Sequence, residues 1–232
     1  GDVSAMDRLN VLLETVSSGY VPNRFDDCIV TDDIYEMLAA VSDENRFKFN
    51  IPTLSKEVYG LARGEFACFA AYSNVGKTAF AISLSAAPGG FCEQGAKVGY
   101  IANEEFGKRV KLRAVQAYAG MTKEEVIFEP RKAAAIYSGI KDKLIFADAQ
   151  DWDVQTLDAY LGQGNFGVVF VDMADKISLS SNFNSSHERL ADLYYRLREL
   201  AKKHNVALIG MSQASGEAEG KTRLTMSMLA GS

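Results

Sequence analysis

The chain has 232 residues, 47% apolar and 24% charged, with a formal net charge of −5; this length favours one substantial α/β core plus a small appendage over two full domains. The acidic balance excludes a chain basic throughout, but not local basic loops that meet a nucleic-acid backbone. Cys28, Cys68 and Cys92, without CxxC or finger spacing, suggest neither a disulfide framework nor a zinc site and fit a reducing cytoplasm, and no apolar run approaches the roughly 20 residues that cross a bilayer.

In chain order, two short amphipathic helices come first. Leu9, Leu12, Leu13 and Val16 share one helical face, and Ile34, Met37, Leu38 and Val41 share another, with SSGYVPNR as linker between them. The start at Gly1 instead of Met and the stop at Ser232 read as an excised piece. From Glu65 onward apolar β-like runs alternate with helical periodicity, which places strands at residues 66–71, 98–103, 144–147, 168–172 and 207–212. That alternation predicts an α/β fold with a mainly parallel central sheet covered by helices on both faces.

The first strand runs into AYSNVGKT. A phosphate-binding loop needs backbone N–H groups converging on an anion, a helix N-terminus behind them, a lysine for the outer phosphates and a hydroxyl for magnesium. Gly76, Lys77 and Thr78 meet the last three needs, and Ser73, Asn74, Val75, Gly76, Lys77, Thr78 and Ala79 form the expected nucleotide site. Ala71 stands where such loops open on glycine, a position that needs mainly a small side chain; Gly76 is the glycine that cannot be bulky, because the backbone approaches the phosphates there.

The second strand ends in YIANEEF, which brings Glu104 and Glu105 to the ligand edge of the sheet; one of them can orient or deprotonate a water, Glu104 first because it lies nearer the strand. Both carboxylates equally suit the first turn of the next helix. Thr122 and Glu125 make a capping box. Asp148, Asp151 and Asp153 follow the third strand and read as helix caps before a metal cluster, with Trp152 a core or surface anchor. The apolar strand VVFV then delivers Asp172, whose carboxylate can complete a magnesium shell beside Thr78 or simply cap a turn. A helix over about 187–204 carries Leu190, Leu193, Tyr194, Leu197, Leu200 and Ala201 on one stripe, and Ser185 to Glu188 offer its capping box. His187 and His204, at its opposite ends, cannot share a metal, and His204 suits the helix C-terminus as a cation. The last strand ends in Ser212 and Gln213, whose amide can sense the γ-phosphate or bond locally to backbone.

Taken together, AYSNVGKT, YIANEEF, VVFVDMAD and LIGMSQ resemble the RecA-like ATPase domain of replicative hexameric DNA helicases of the DnaB type, phage helicases included, from about residue 49 to the end. Met173, not Glu, follows Asp172, which favours the RecA-like group over other phosphate-loop families that carry the catalytic glutamate there. The resemblance implies a RecA-like P-loop NTPase fold, with residues 1–48 as an N-terminal helical linker segment and 49–232 as an ATPase domain truncated at its C-terminus. It implies an ATP-dependent DNA helicase that couples ATP hydrolysis to translocation on single-stranded DNA and duplex unwinding in replication. It also implies ATP and Mg2+ as cofactors, a homo-oligomeric hexameric ring, primase or other replisome partners, and the cytoplasm of a bacterial or phage-infected cell.

By the same resemblance Lys77 binds the β- and γ-phosphates, Thr78 and Asp172 hold magnesium, Glu104 activates water and Gln213 couples phosphate state to DNA. The DNA loops fall at about 177–186 and 214–223, with Lys176, Asn182, Asn184, Lys221 and Arg223 as contacts. The helix at residues 9–16 corresponds to a linker helix that docks on the adjacent subunit, or it packs on its own domain. The segment that supplies an arginine finger would lie beyond Ser232. Two other readings remain open: a RecA-like recombination or regulatory ATPase without helicase activity, and a non-hydrolysing nucleotide-binding assembly subunit.

Overall fold

The computed structural model describes residue 30, residues 32–180, residue 183 and residues 185–214. The helix expected at residues 9–16, Cys28, Asn182, Asn184, Lys221 and Arg223 lie outside the described residues. The chain divides into two units, Gly1–Ser42 and Asp43–Ser232. In the first, α1 (Ile34–Val41) starts at Asp33, whose carboxylate accepts the Tyr35 N–H at 2.8 Å.

The second unit opens with a feature that the sequence did not announce. Strands β1 (Arg46–Lys48) and β2 (Gly60–Ala62) pair antiparallel around the short helix α2 (Pro52–Glu57). Three residues per strand are too few to display an alternation. Their position is held by Arg46, which grips the Glu65 carboxylate with two bonds of 2.9 and 2.8 Å.

The main sheet is as the alternation predicts. Strands β3 (Phe66–Ala71), β4 (Val98–Ala102), β5 (Leu144–Asp148), β6 (Val168–Val171) and β7 (Ala207–Gln213) lie in the order β3-β7-β6-β4-β5, every neighbouring pair parallel. Strands β4 and β6 stop one residue earlier than expected, and β5 and β7 run one residue further. The connecting helices are α3 (Lys77–Ala86), α4 (Gly107–Ala119), α5 (Lys123–Phe128), α6 (Pro130–Tyr137), α7 (Val154–Gly164) and α8 (Ser186–Lys203).

Local chemistry sets the helix ends. The capping box of α5 is complete: Thr122 Oγ1 accepts the Glu125 N–H, and the Glu125 carboxylate accepts the Thr122 N–H at 2.7 Å. Pro130 starts α6, where its missing N–H costs nothing. The Ser185 hydroxyl caps α8 by accepting the Glu188 N–H, and His204 forms its C-cap. His204 Nε2 also meets Asp158 of α7 at 2.5 Å, joined there by Lys203. Burial pushes the Asp158 carboxyl up, but the hydrogen bonds and charges of Lys203 and His204 together outweigh it and hold the group below its usual range.

Alternation along the strands divides the apolar side chains between two cores. On one face Tyr100, Val168, Phe170 and Ile209 pack with Ile82 and Leu84 of α3 and Val110 of α4. On the other Ile101, Val169, Val171 and Leu208 pack with Leu157 of α7 and Leu193, Leu197 and Leu200 of α8. With β6 buried on both faces, Asp172, which follows it, is kept from solvent, and this places the site. Leu193 is fully buried in the second core. Leu193→Ala should destabilise by about 2–5 kcal/mol, lowering the melting temperature by roughly 5–15 °C in a calorimetric scan.

Candidate active site

The phosphate loop leaves β3 at Ala71 and enters α3 at Lys77. Ala71 keeps an ordinary strand conformation and pairs in register with Gln213, so an alanine methyl is accommodated where related loops open on glycine. The backbone gives Gly76 a requirement of its own, beside the expected approach to the phosphates. Its φ of 97° lies in the left-handed region, while a Cβ there would meet only the Ala79 methyl, at 4.0 Å. Backbone conformation, not crowding within the chain, selects glycine. Asn74 also takes a left-handed φ of 60°, and residues 73–76 face solvent with α3 beginning behind them.

Lys77 is buried, and its ammonium donates to the carbonyls of Ala71 at 3.4 Å and Tyr72 at 3.1 Å. It is thus folded back across the mouth of its own loop. Thr78 Oγ1 donates to Asp172 Oδ2 at 3.2 Å, which joins the loop to the end of β6.

Asp172 is fully buried. Besides Thr78, its Oδ2 accepts the hydroxyl of Tyr100, a β4 residue, at 3.0 Å, whereas its Oδ1 is buried with no hydrogen-bond partner. Burial pushes the Asp172 carboxyl above its ordinary range. The Tyr100 and Thr78 bonds oppose that shift, the charge of Glu104 adds to it, and Lys77 counters it. Burial and the neighbouring Asp172 charge likewise drive the Tyr100 hydroxyl well above its usual range. An orphaned carboxylate oxygen beside a threonine hydroxyl is an oxygen donor set that fits a magnesium ion held by Thr78 and Asp172.

Glu104 lies in the bend after β4 and is exposed. A cleft of about 460 Å³ brings it together with Gly76, Lys77, Thr78, Glu105 and Arg113. Glu105 differs from its neighbour: Arg113 of α4 holds both its oxygens at 2.8 and 2.9 Å. The bend is pinned on either side by Asn103, which donates to the Met173 carbonyl at 2.9 Å, and by Asp148, which caps α4 through the Gly107 N–H. A Cβ on Gly107 would come within 2.7 Å of the Asp148 carboxylate, so a larger residue there would push the capping side chain aside.

Two members of the acidic cluster act as helix caps. Asp148 serves α4, Asp153 serves α7 by accepting the Thr156 N–H at 2.7 Å, and Asp151 adopts a left-handed φ of 61°. Trp152 packs edge to face on Tyr160 with ring centroids 5.2 Å apart. Lys176 is exposed on the 3₁₀ turn Ala174–Lys176. Cys68, exposed, and Cys92, buried, are free, and burial pushes the Cys92 thiol up to about 12, so Cys92 is no ready nucleophile at neutral pH. Tyr100, Asp148 and Arg113 were missed as site residues. Tyr100 sits inside YIANEEF and reads as a plain strand residue, and nothing local in the sequence says that Arg113 faces the phosphate loop.

A five-stranded parallel sheet with a phosphate loop after β3 and a buried aspartate after β6 defines a P-loop nucleotide-binding domain of RecA-like fold. Residues 32–219 match the AAA domain family, and the chain belongs to it. Two solved structures resemble it closely in backbone. The first, an ATPase domain, superposes with a TM-score of 0.68 at 18% identity, covering 99% of this chain and 78% of that one. The second, a DnaB-like replicative helicase whose structure was determined with its interactions with primase, superposes with a TM-score of 0.68 at 20% identity. That match covers 97% of this chain and 57% of the helicase, so this chain spans little more than half of its length. No curated protein sequence matches the chain. Among the described residues no helix is long and apolar enough to cross a membrane.

The raised carboxyl of Asp172 gives a prediction with a definite sign. With the folded pKa above the unfolded one, ionised Asp172 costs stability at neutral pH, and the cost disappears below the unfolded pKa, where both states are protonated. Asp172→Asn should therefore raise the melting temperature of the nucleotide-free protein at pH 7–8. The gain should shrink as pH falls to about 3–4, and stabilisation by magnesium with ATP should be lost. Thermal melts across pH, with and without Mg-ATP, read both effects.

Proposed function

We propose that the chain is the ATPase domain of a ring-shaped replicative DNA helicase, coupling ATP hydrolysis to translocation on single-stranded DNA and unwinding. The observation that carries this reading is the meeting of Lys77, Thr78, Asp172 and Glu104 at the C-terminal edge of the sheet, in a fold shared with DnaB-like helicase domains. In this reading Ser73 to Ala79 cradle the phosphates, and Lys77 exchanges its bonds to the Ala71 and Tyr72 carbonyls for charge-assisted bonds to the β- and γ-phosphates. Thr78 and Asp172 hold magnesium, which when bound neutralises charge on the phosphates. Glu104 is the residue that takes the proton of the attacking water. Glu105 is the poorer choice, because both its oxygens are already committed to Arg113.

Gln213 ends the strand that pairs with β3, one residue before the chain passes on at Ala214, and suits the sensing of phosphate loss. Lys176 and the polar residues at 177–186 and 214–223, with Asn182, Asn184, Lys221 and Arg223, form the DNA-facing loops. The partners proposed are single-stranded DNA, further copies of this chain in a hexameric ring and a primase, in the cytoplasm of a bacterial or phage-infected cell.

Hydrolysis of ATP by the protein tests the reading. Single-stranded DNA should stimulate turnover severalfold. Lys77→Ala and Glu104→Gln should each reduce it by at least about a hundredfold, with Glu104→Gln retaining nucleotide binding. Hydrolysis indifferent to DNA would move the protein to the regulatory or recombination class. Binding of ATP with hydrolysis unaltered by Glu104→Gln would make it a nucleotide-holding assembly subunit.

A further inference from the structure

Three residues beyond Asp172 is a carboxylate with no part in the site described so far. Asp175 Oδ1 accepts the Tyr194 hydroxyl and the Ser212 hydroxyl, each at 2.8 Å, and its Oδ2 accepts the backbone N–H of Gln213 at 3.0 Å. The Asp175 carbonyl accepts the Arg189 guanidinium at 2.9 Å. Tyr194 Oη also lies 2.9 Å from the fully buried Ser212 Oγ, which closes the network. One residue thus joins the end of β6 to the end of β7 and, through Arg189 and Tyr194, to α8.

The turn that carries Asp175 is held by its surroundings. Met173 takes a φ of 56°, a left-handed conformation that a side chain of this size rarely adopts. Its carbonyl is fixed by Asn103, the residue before Glu104. The backbone from Asp172 to Lys176 therefore takes its place from β4, β7 and α8 together. Ser178 extends the same arrangement, since its N–H donates to the Trp152 carbonyl at 3.0 Å and its carbonyl accepts the Val154 N–H at 3.2 Å.

The elements that Asp175 grips are those from which the two polar segments depart. Helix α8 begins at Ser186, directly after residues 178–185, and β7 hands the chain on at Ala214. At the other end of the turn, Asp172 is bonded to Thr78 of the phosphate loop. We propose that Asp175 is a positioning residue that couples the occupancy of the nucleotide site to the polar segments before α8 and after β7. A displacement of Asp172 when the terminal phosphate leaves moves a single 3₁₀ turn, and Asp175 carries that movement to the Ser212–Gln213 backbone and to α8. The inference rests on the helicase reading and specifies how its nucleotide and DNA sites communicate.

The test is the ratio of single-stranded DNA affinities in the presence of a non-hydrolysable ATP analogue and of ADP, measured with a labelled oligo-dT on the full chain. The wild-type ratio should be on the order of tenfold, and by linkage DNA should change the relative affinity of the two nucleotides by the same factor. Asp175→Asn, which turns an acceptor into a donor facing the Ser212 and Gln213 donors, should bring the ratio close to one. Tyr194→Phe removes one of the three donors to the carboxylate and should give an intermediate ratio. A purely structural role would lower the melting temperature and weaken DNA binding in both nucleotide states alike, leaving the ratio unchanged. A folded Asp175→Asn protein with the wild-type ratio overturns the inference. Should that variant fail to fold, wild-type ratios in both Ser212→Ala and Tyr194→Phe overturn it equally. A wild-type protein that binds DNA equally in both states defeats the coupling while leaving the ATPase reading intact. Absence of DNA binding altogether defeats the helicase reading and this inference with it.

Discussion

The constraint on which this site depends is the removal of one carboxylate from water. Val168 to Val171 are buried on both faces, and β6 lies inside the sheet between β7 and β4, so Asp172 emerges without access to solvent. A buried charge is tolerated only where partners replace its hydration. Here one oxygen has two hydroxyl donors and the other has none, with the Lys77 ammonium as the nearby counter-charge. The protein leaves this group unfinished, and the cost is met by the rest of the sheet. Among the described residues the buried polar side chains are Lys77, Ser85, Asp172 and Ser212, and all but Ser85 lie at this edge.

Lys77 has the complementary arrangement. Without a ligand its charge is satisfied by two carbonyls of the loop it serves, at distances at and beyond the long end of the normal range for N–H···O bonds. Such bonds hold the side chain near its working position and are readily exchanged for stronger ones to phosphate. Asn74 and Gly76 both take left-handed conformations in the exposed stretch that leads into α3. The loop is therefore shaped before any ligand arrives, which reduces the ordering that binding must impose.

What could be read from the sequence was what is local. Strand cores, the capping box at Thr122, the cap at Ser185, the phosphate loop and the aspartate after an apolar strand all follow from residues within a few positions of one another. The β1–β2 pair was invisible because each strand is three residues long and is fixed by Arg46 reaching Glu65. Tyr100 read as an aromatic strand residue because its role depends on β6 lying beside β4, with Tyr100 in register with Phe170. Asp175 and Arg113 escaped for the same reason, since their partners are 37 residues and eight residues away and the chain pattern does not mark them. The loop pattern marks Gly76 as a glycine, but its left-handed φ, a second ground for glycine there, is visible only in the backbone geometry.

The two adjacent glutamates illustrate how a tertiary contact divides equivalent residues. Either could serve as a base by position, and both sit before the same helix. Arg113, nine residues after Glu104 and on the helix that this bend introduces, takes both oxygens of Glu105 in a bidentate grip. That grip commits both Glu105 oxygens to the guanidinium and fixes the side chain against α4. Glu104 carries no such commitment to Arg113 and shares the cleft with Lys77 and Thr78. The pair therefore separates into one carboxylate that fixes the bend and one that the fixed bend presents. The Asp148 cap on α4 and the Asn103 bond to Met173 hold that presentation from two further strands. Precision at Glu104 thus comes from β4, β5, β6 and α4 together, which is why a residue on an exposed bend can occupy a defined place opposite the phosphate loop.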